Sequence, residues 1–169
     1  MIKEKIHAFI MARGQGTRLK PLTDGICKSS VPFGGRHKII DFVLSNLVNA
    51  GIENITVLGP SDAPKLSQHL KIHWPNVKLE QSSQHEPLVG NAASIRKALE
   101  YSLDNNSKHI GIFPSDQILF FDQRKVLLKH IETNSKASIL TQWRDSNTVS
   151  DFGVLCTEDN SIVELKSRG

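Results

Sequence analysis

The chain has 169 residues, 38% of them hydrophobic and 22% charged, and carries a formal net charge of +4. That balance suits one soluble globular domain with a real core, and it excludes a disordered or disulfide-scaffolded chain. No stretch could span a membrane, and the apolar run near the N-terminus is too short for a signal-peptide core, so a cytoplasmic protein is expected.

The run containing Ile6, Ala8, Phe9, Ile10 and Met11 suits a buried strand. Gly14 and Gly16 then let the backbone turn sharply and bring its N–H groups close to an anion, while Arg18 and Lys20 add positive charge. Met11 to Thr23 therefore reads as a phosphate cradle; the plainer alternative is a simple strand-to-helix turn. A Walker A loop would close on Gly-Lys-Ser/Thr, where this chain has Gly16-Thr17-Arg18, and a Rossmann dinucleotide loop would need glycine or alanine at Leu19.

Further along, Ile40, Val43, Leu44, Leu47 and Val48 recur at helical spacing, with Gly51 as the C-terminal cap. Ile55 to Leu58 reads as a strand, Asp62 and Pro64 open a helix reaching about His73, and Val77 to Leu79 forms a short strand. Asn91 caps a helix with Ala92, Ile95, Leu99 and Leu103 on one face. His109 to Phe113 is a strand that ends at Ser115 and Asp116, placing the aspartate at the C-terminal edge of the sheet. A helix from Arg124 to Asn134 leads to a strand at Ala137 to Gln142, and Gly153 to Cys156 with Ile162 to Leu165 reads as a hairpin. The alternation predicts an α/β fold, a parallel sheet with helices on both faces and a small antiparallel element near the C-terminus.

The cations Arg13, Arg18, Lys20, Lys28, Arg36 and Lys38 crowd the segment that also holds the glycines. A local positive potential attracts a polyanion. Without interleaved aromatics for base stacking, a nucleotide is the expected partner, not a nucleic acid. His69 and His73 lie four apart on a predicted helix, which could set two imidazoles on one face; no third ligand has suitable spacing, so a solvated helix face is expected there and not a zinc site. Trp74 and Trp143 read as packing residues, and Cys27 and Cys156 as free thiols.

Met11 to Thr23, Cys27 to Arg36 and Ile39 to Asn46 together resemble the N-terminal part of ADP-glucose pyrophosphorylase, or glucose-1-phosphate adenylyltransferase, within the sugar-phosphate nucleotidyltransferases. The likeness continues, in the family's order, at Gly90-Asn91-Ala92, Pro114-Ser115-Asp116-Gln117 and Asp151-Phe152-Gly153-Val154. It implies a Rossmann-like nucleotidyltransferase sheet and transfer between ATP, or another nucleoside triphosphate, and a sugar 1-phosphate, giving ADP-glucose for glycogen synthesis. A non-catalytic nucleotide-binding or regulatory subunit of the same family is the alternative. The resemblance implies Arg18, Lys28 and Asp116 as catalytic residues, Asp116 as the Mg²⁺ ligand, and Ala12, Gly14, Gly16, Thr17 and Gly90 as nucleotide-binding residues. Gln81 or Gln84 would read the base. Residues 1–169 would correspond to the N-terminal part of the family's domain, with the remainder and a left-handed β-helix lying beyond them, and a homo- or hetero-oligomer is the association implied.

Overall fold

The computed structural model describes residues 6–14, 16–81, 91–104, 107–119, 121–142, 154–158 and 161–166. The chain divides into two units, residues 1–132 and 133–169. In the first, β1 (Ile6–Met11), β2 (Asn54–Gly59), β3 (Lys78–Gln81) and β4 (His109–Pro114) form a parallel sheet in the order β3-β2-β1-β4. β1 lies inside it, with Ala8 opposite Ile55 on one edge and opposite Gly111 on the other.

Alternation along β1 sends side chains to two cores. Ile6, Ala8, Ile10 and the following Ala12 join Ile55 and Val57 against α1 (Ile39–Asn49) and α2 (Pro64–His73), where α4 (Gln123–Glu132) adds Leu127 and Ile131. Phe9 and Leu58 face the other way, onto Ala98 and Tyr101 of α3 (Asn91–Asp104). Helices thus cover both faces, as the alternating pattern predicts. In the second unit, β5 (Val154–Glu158) and β6 (Ser161–Lys166) make the expected antiparallel hairpin, with an irregular register between Cys156 and Thr157.

α1 ends as its glycine foretells. Gly51 has φ 83°, its N–H donates to the Val48 carbonyl at 2.9 Å, and the Ile52 N–H donates to the Leu47 carbonyl at 3.1 Å. This is a Schellman closure, sealed by the buried pair Leu47 and Ile52. At the other end of α1, Asp41 accepts three hydrogen bonds: from the Lys38 N–H at 2.8 Å, from His69 Nε2 at 2.7 Å and from the Trp74 indole at 2.8 Å. One carboxylate therefore caps α1 and ties it to α2 and to the residue that follows α2. Burial of Asp41 favours the neutral acid, but its hydrogen bonds from His69, Lys38 and Trp74 outweigh this and hold the carboxyl below its ordinary range.

Four expectations are corrected. On α3 the stripe Ile95, Leu99 and Leu103 is 37%, 47% and 82% exposed, whereas Ser94, Ala98 and Ser102 are buried. Small side chains let the helix lie close to the sheet, and the larger apolar residues flank the contact. Residues 137–142 form no strand, because no described strand offers them a ladder. α4 stops at Glu132, short of Asn134, whose φ of 47° is left-handed and cannot continue a helix. His69 is buried on Asp41 and is not part of a solvated face, although His73 beside it is exposed. Trp74 packs against the core as expected, and Trp143 lies outside the described residues. Both cysteines are free. No helix among the described residues is long and apolar enough to cross a membrane.

Two predictions follow from the buried polar groups. Asp41→Ala leaves the Trp74 and His69 donors and the α1 N-terminus without their acceptor, and should cost about 2–4 kcal/mol in urea unfolding followed by tryptophan fluorescence. His7, stacked on Phe9 and paired with Thr56 Oγ1 at 2.8 Å, is pushed below the ordinary histidine range by burial and secondarily by the Lys78 ammonium. The unfolded chain then takes up this proton first, so the stability owed to neutral His7 is complete above about pH 6.5 and falls as pH drops towards the lower native value. His7→Asn should flatten the loss of stability between about pH 7.5 and pH 5.5, measured by urea midpoints.

Candidate functional site

In a parallel sheet ordered β3-β2-β1-β4, chain progression runs from β1 towards β3 and then returns to the opposite side of β1. The loops after β1 and β4 consequently emerge side by side at the C-terminal edge of the sheet, where open α/β folds form their binding crevice. The predicted glycine loop and Lys28 follow β1, and Ser115 and Asp116 follow β4. These segments meet in the fold: Lys28 Nζ donates to Asp116 Oδ2, and the Ser29 hydroxyl donates to Ser115 Oγ at 2.8 Å.

The loop is shaped by Gly16. Its φ of 68° is left-handed, and a Cβ there would sit 2.7 Å from Thr23 Cγ2 and 3.1 Å from Lys28 Cβ. Both conformation and space therefore demand glycine. Its carbonyl accepts the Leu19 N–H at 2.8 Å and the Thr23 hydroxyl at 2.9 Å, closing the one-turn 3-10 helix Thr17–Leu19 onto the buried Thr23. Gly14 has the opposite character, because a Cβ built there meets nothing within 4 Å. The loop is thus packed at Gly16 and open at Gly14.

Of the sequence-predicted residues, Gly14, Gly16, Thr17, Arg18 and Lys28 fall on this one connection between β1 and α1, and Asp116 joins them across the β1/β4 boundary. Arg18 and Thr17 are exposed, and Arg18 makes no ion pair among the described residues. Ala12 directly follows β1. Its N–H already donates to the Leu58 carbonyl at 2.9 Å and its side chain is buried, so it contributes small volume beneath the loop. Gly90 and Gln84 lie outside the described residues, whereas Gln81 ends β3 and donates to the Pro60 carbonyl at 3.4 Å.

The basic segment does not act as one patch. Lys20 pairs with Asp24 at 3.8 Å, Lys38 Nζ donates to the Lys65 carbonyl at 3.4 Å, and Lys28 is held by Asp116. Arg36 and His37 instead line a cavity of about 420 Å³ together with Ser45, His69, His73 and Trp74. That cavity shares no residue with the Lys28–Asp116 cluster, and the carboxylate within it, Asp41, is taken up by three donors. The glycine loop and the sheet's reversal point lie elsewhere. Among the described residues no group of three histidine, cysteine or acidic side chains could hold a metal on its own.

Sequence reading missed the Ser29–Ser115 hydrogen bond. Its only sequence signal is that each serine adjoins a predicted site residue, because the pair is separated by 86 positions and formed by the sheet order.

The chain matches the nucleotidyl transferase family over residues 7–166. It is 34% identical to the glucose-1-phosphate adenylyltransferase of Mycoplasma mobile, covering 97% of this chain and 46% of that protein. It is also 34% identical to the corresponding enzyme of Lachnospira eligens, covering 99% of this chain and 43% of the relative. The chain thus spans less than half the length of either. Among solved structures it is similar to a Bacillus anthracis protein, provisionally a glucose-1-phosphate thymidylyltransferase, crystallised with sucrose: the TM-score is 0.74 at 22% identity, over 97% of this chain and 65% of the other. That likeness supports the fold.

The two loop glycines should separate in a stability measurement. Gly16→Ala should cost about 1–3 kcal/mol by urea unfolding, from left-handed backbone strain and the Thr23 contact. Gly14→Ala should fall within about 0.5 kcal/mol of wild type.

Proposed function

The chain belongs to the nucleotidyl transferase family, and on that premise we propose that it supplies the nucleotide-binding part of a sugar-1-phosphate nucleotidyltransferase. The reaction we infer joins ATP and glucose 1-phosphate to give ADP-glucose and pyrophosphate, as the names of its bacterial relatives suggest. One observation carries the reading: the glycine loop, Lys28 and Asp116 converge where the sheet reverses direction.

In this reading a phosphate oxygen of the sugar 1-phosphate attacks the α-phosphorus, and the bond from that phosphorus to the pyrophosphate oxygen breaks. Alignment and charge neutralisation dominate such a transfer. The backbone N–H groups of the glycine loop receive the triphosphate, with open space at Gly14, and exposed Arg18 is free to turn its fork of donors onto the leaving pyrophosphate. Lys28 neutralises phosphate at the reacting centre. Gly90 and one of Gln81 or Gln84 contribute on the base side.

Asp116 is the residue that would hold Mg²⁺. Magnesium takes one or two carboxylates together with substrate phosphates, which fits a single aspartate about a third exposed at the crevice and needs no further protein cluster. The metal, when bound, polarises phosphate oxygens and neutralises developing charge. A cytoplasmic location and a homo- or hetero-oligomeric assembly belong to the same proposal.

Pyrophosphate release by the purified chain, with Mg²⁺, ATP and glucose 1-phosphate, tests the reading. Arg18→Ala and Asp116→Asn should each lower the rate about 100-fold. Wild-type turnover in both variants would sink the site assignment, and tight Mg²⁺-dependent ATP binding without any turnover would assign the chain the regulatory nucleotide-binding role.

A further inference from the structure

The Lys28–Asp116 contact has a buried companion. Lys28 opens the one-turn 3-10 helix Lys28–Ser30, and the two residues after it are sunk in the protein: Ser29 is 1% exposed and Ser30 2%. Ser115, next to Asp116, is 6% exposed. The Ser29 hydroxyl donates to Ser115 Oγ at 2.8 Å, beneath the pair formed by the neighbouring side chains. Two consecutive residues of one loop thus grip two consecutive residues of the other, one pair buried and one at the surface.

The rest of the turn is fixed independently. The Ser30 N–H donates to the Cys27 carbonyl at 2.9 Å, the Val31 N–H to the Lys28 carbonyl at 3.1 Å, and Cys27 Sγ lies 3.0 Å from Ser30 Oγ. These bonds set the shape of the turn but do not connect it to β4. The Ser29–Ser115 bond makes that connection. The ion pair above it, with both side chains about a third exposed, is too screened to set a loop position unaided.

We infer that Ser29 and Ser115 are positioning residues, a hydroxyl clamp that holds the Lys28 loop against the end of β4 and so sets the spacing of Lys28 from Asp116. The inference rests on the nucleotide reading for its purpose, and on geometry alone for the clamp. A buried hydroxyl that loses its partner destabilises the fold, whereas removal of both hydroxyls leaves no buried group unsatisfied. The clamp and a purely structural bond therefore differ in the double variant.

The experiment compares wild type, Ser29→Ala, Ser115→Ala and the double variant in three ways: thermal midpoint, reactivity of Lys28 towards an amine-acylating reagent read by peptide mass spectrometry without nucleotide, and Mg²⁺·ATP affinity. Each single substitution should lower the midpoint, raise Lys28 reactivity and weaken binding roughly threefold to tenfold. In the double variant the midpoint should recover while reactivity stays high and affinity stays low. Recovery of reactivity together with the midpoint would overturn the clamp, leaving only a structural bond, and so would wild-type Lys28 reactivity in both single variants. Failure of the wild-type chain to bind Mg²⁺·ATP would overturn the nucleotide reading alone, since the labelling is read without it.

Discussion

The burial of β1 on both faces and both edges is the constraint on which this fold depends. Ala8, Phe9 and Ile10 are wholly shielded, and the strand is hydrogen-bonded to β2 on one side and β4 on the other. Such a position favours apolar side chains, because an interior parallel strand has no solvated face, and it holds His7 with its ring paired to Thr56 and stacked on Phe9. Truncation of Phe9 alone would remove about 3–5 kcal/mol, a large share of the stability of an ordinary domain. β1 also fixes where chemistry can occur. The chain leaves β1 towards β2 on one side and returns much later as β4 on the other, so the C-terminal end of β1 is the place where two loops distant in sequence meet.

What those loops carry follows from how they are held. Gly16 is pressed against Thr23 and Lys28 Cβ, which anchors the first loop near the strand end, while Gly14 faces open space. The second loop is brought in by β4 and secured by Ser115. Neither loop relies on the six cations acting together, and three of these are engaged in separate contacts. The Asp41 carboxylate performs the corresponding structural task on the helical layer, where three donors converge on a single group between α1 and α2. It is a hub of the scaffold.

Features set by local chemistry were readable in the sequence. The β1 run, the Gly51 closure of α1, Pro64 at the start of α2 and the C-terminal hairpin each depend on residues within a few positions of one another. Features set by distant partners were not. Apolar spacing on α3 pointed to Ile95, Leu99 and Leu103, but the sheet accepted the narrower face of Ser94, Ala98 and Ser102, since close helix–sheet approach depends on small residues and not on hydrophobicity alone. His69 looked solvated because Asp41, its partner, lies 28 positions away. Ala137 to Gln142 has the composition of a strand, yet a strand exists only where another backbone pairs with it. For the candidate site, Gly16 was marked by its place in a glycine turn after the β1 run and Lys28 and Asp116 by resemblance, whereas Ser29–Ser115 became visible only when the sheet order joined the two loops.

If the proposed site is right, the Lys28–Asp116 pair lets one arrangement serve both the empty and the occupied site. Both side chains are about a third exposed, so the pair contributes on the order of 1 kcal/mol or less and can be opened at small cost. A deeply buried pair would be expensive to separate, because each charge would be left without a partner. On the proposed reading Lys28 exchanges the carboxylate for a phosphate oxygen, and Asp116 exchanges the ammonium for a divalent cation. Each residue keeps an opposite charge beside it before and after the exchange. The buried hydroxyl pair beneath them does not take part in it, so the two backbones remain in register while the surface contacts change. A weak exposed ion pair resting on a neutral buried clamp is therefore better suited to substrate exchange than a strong salt bridge in the same place.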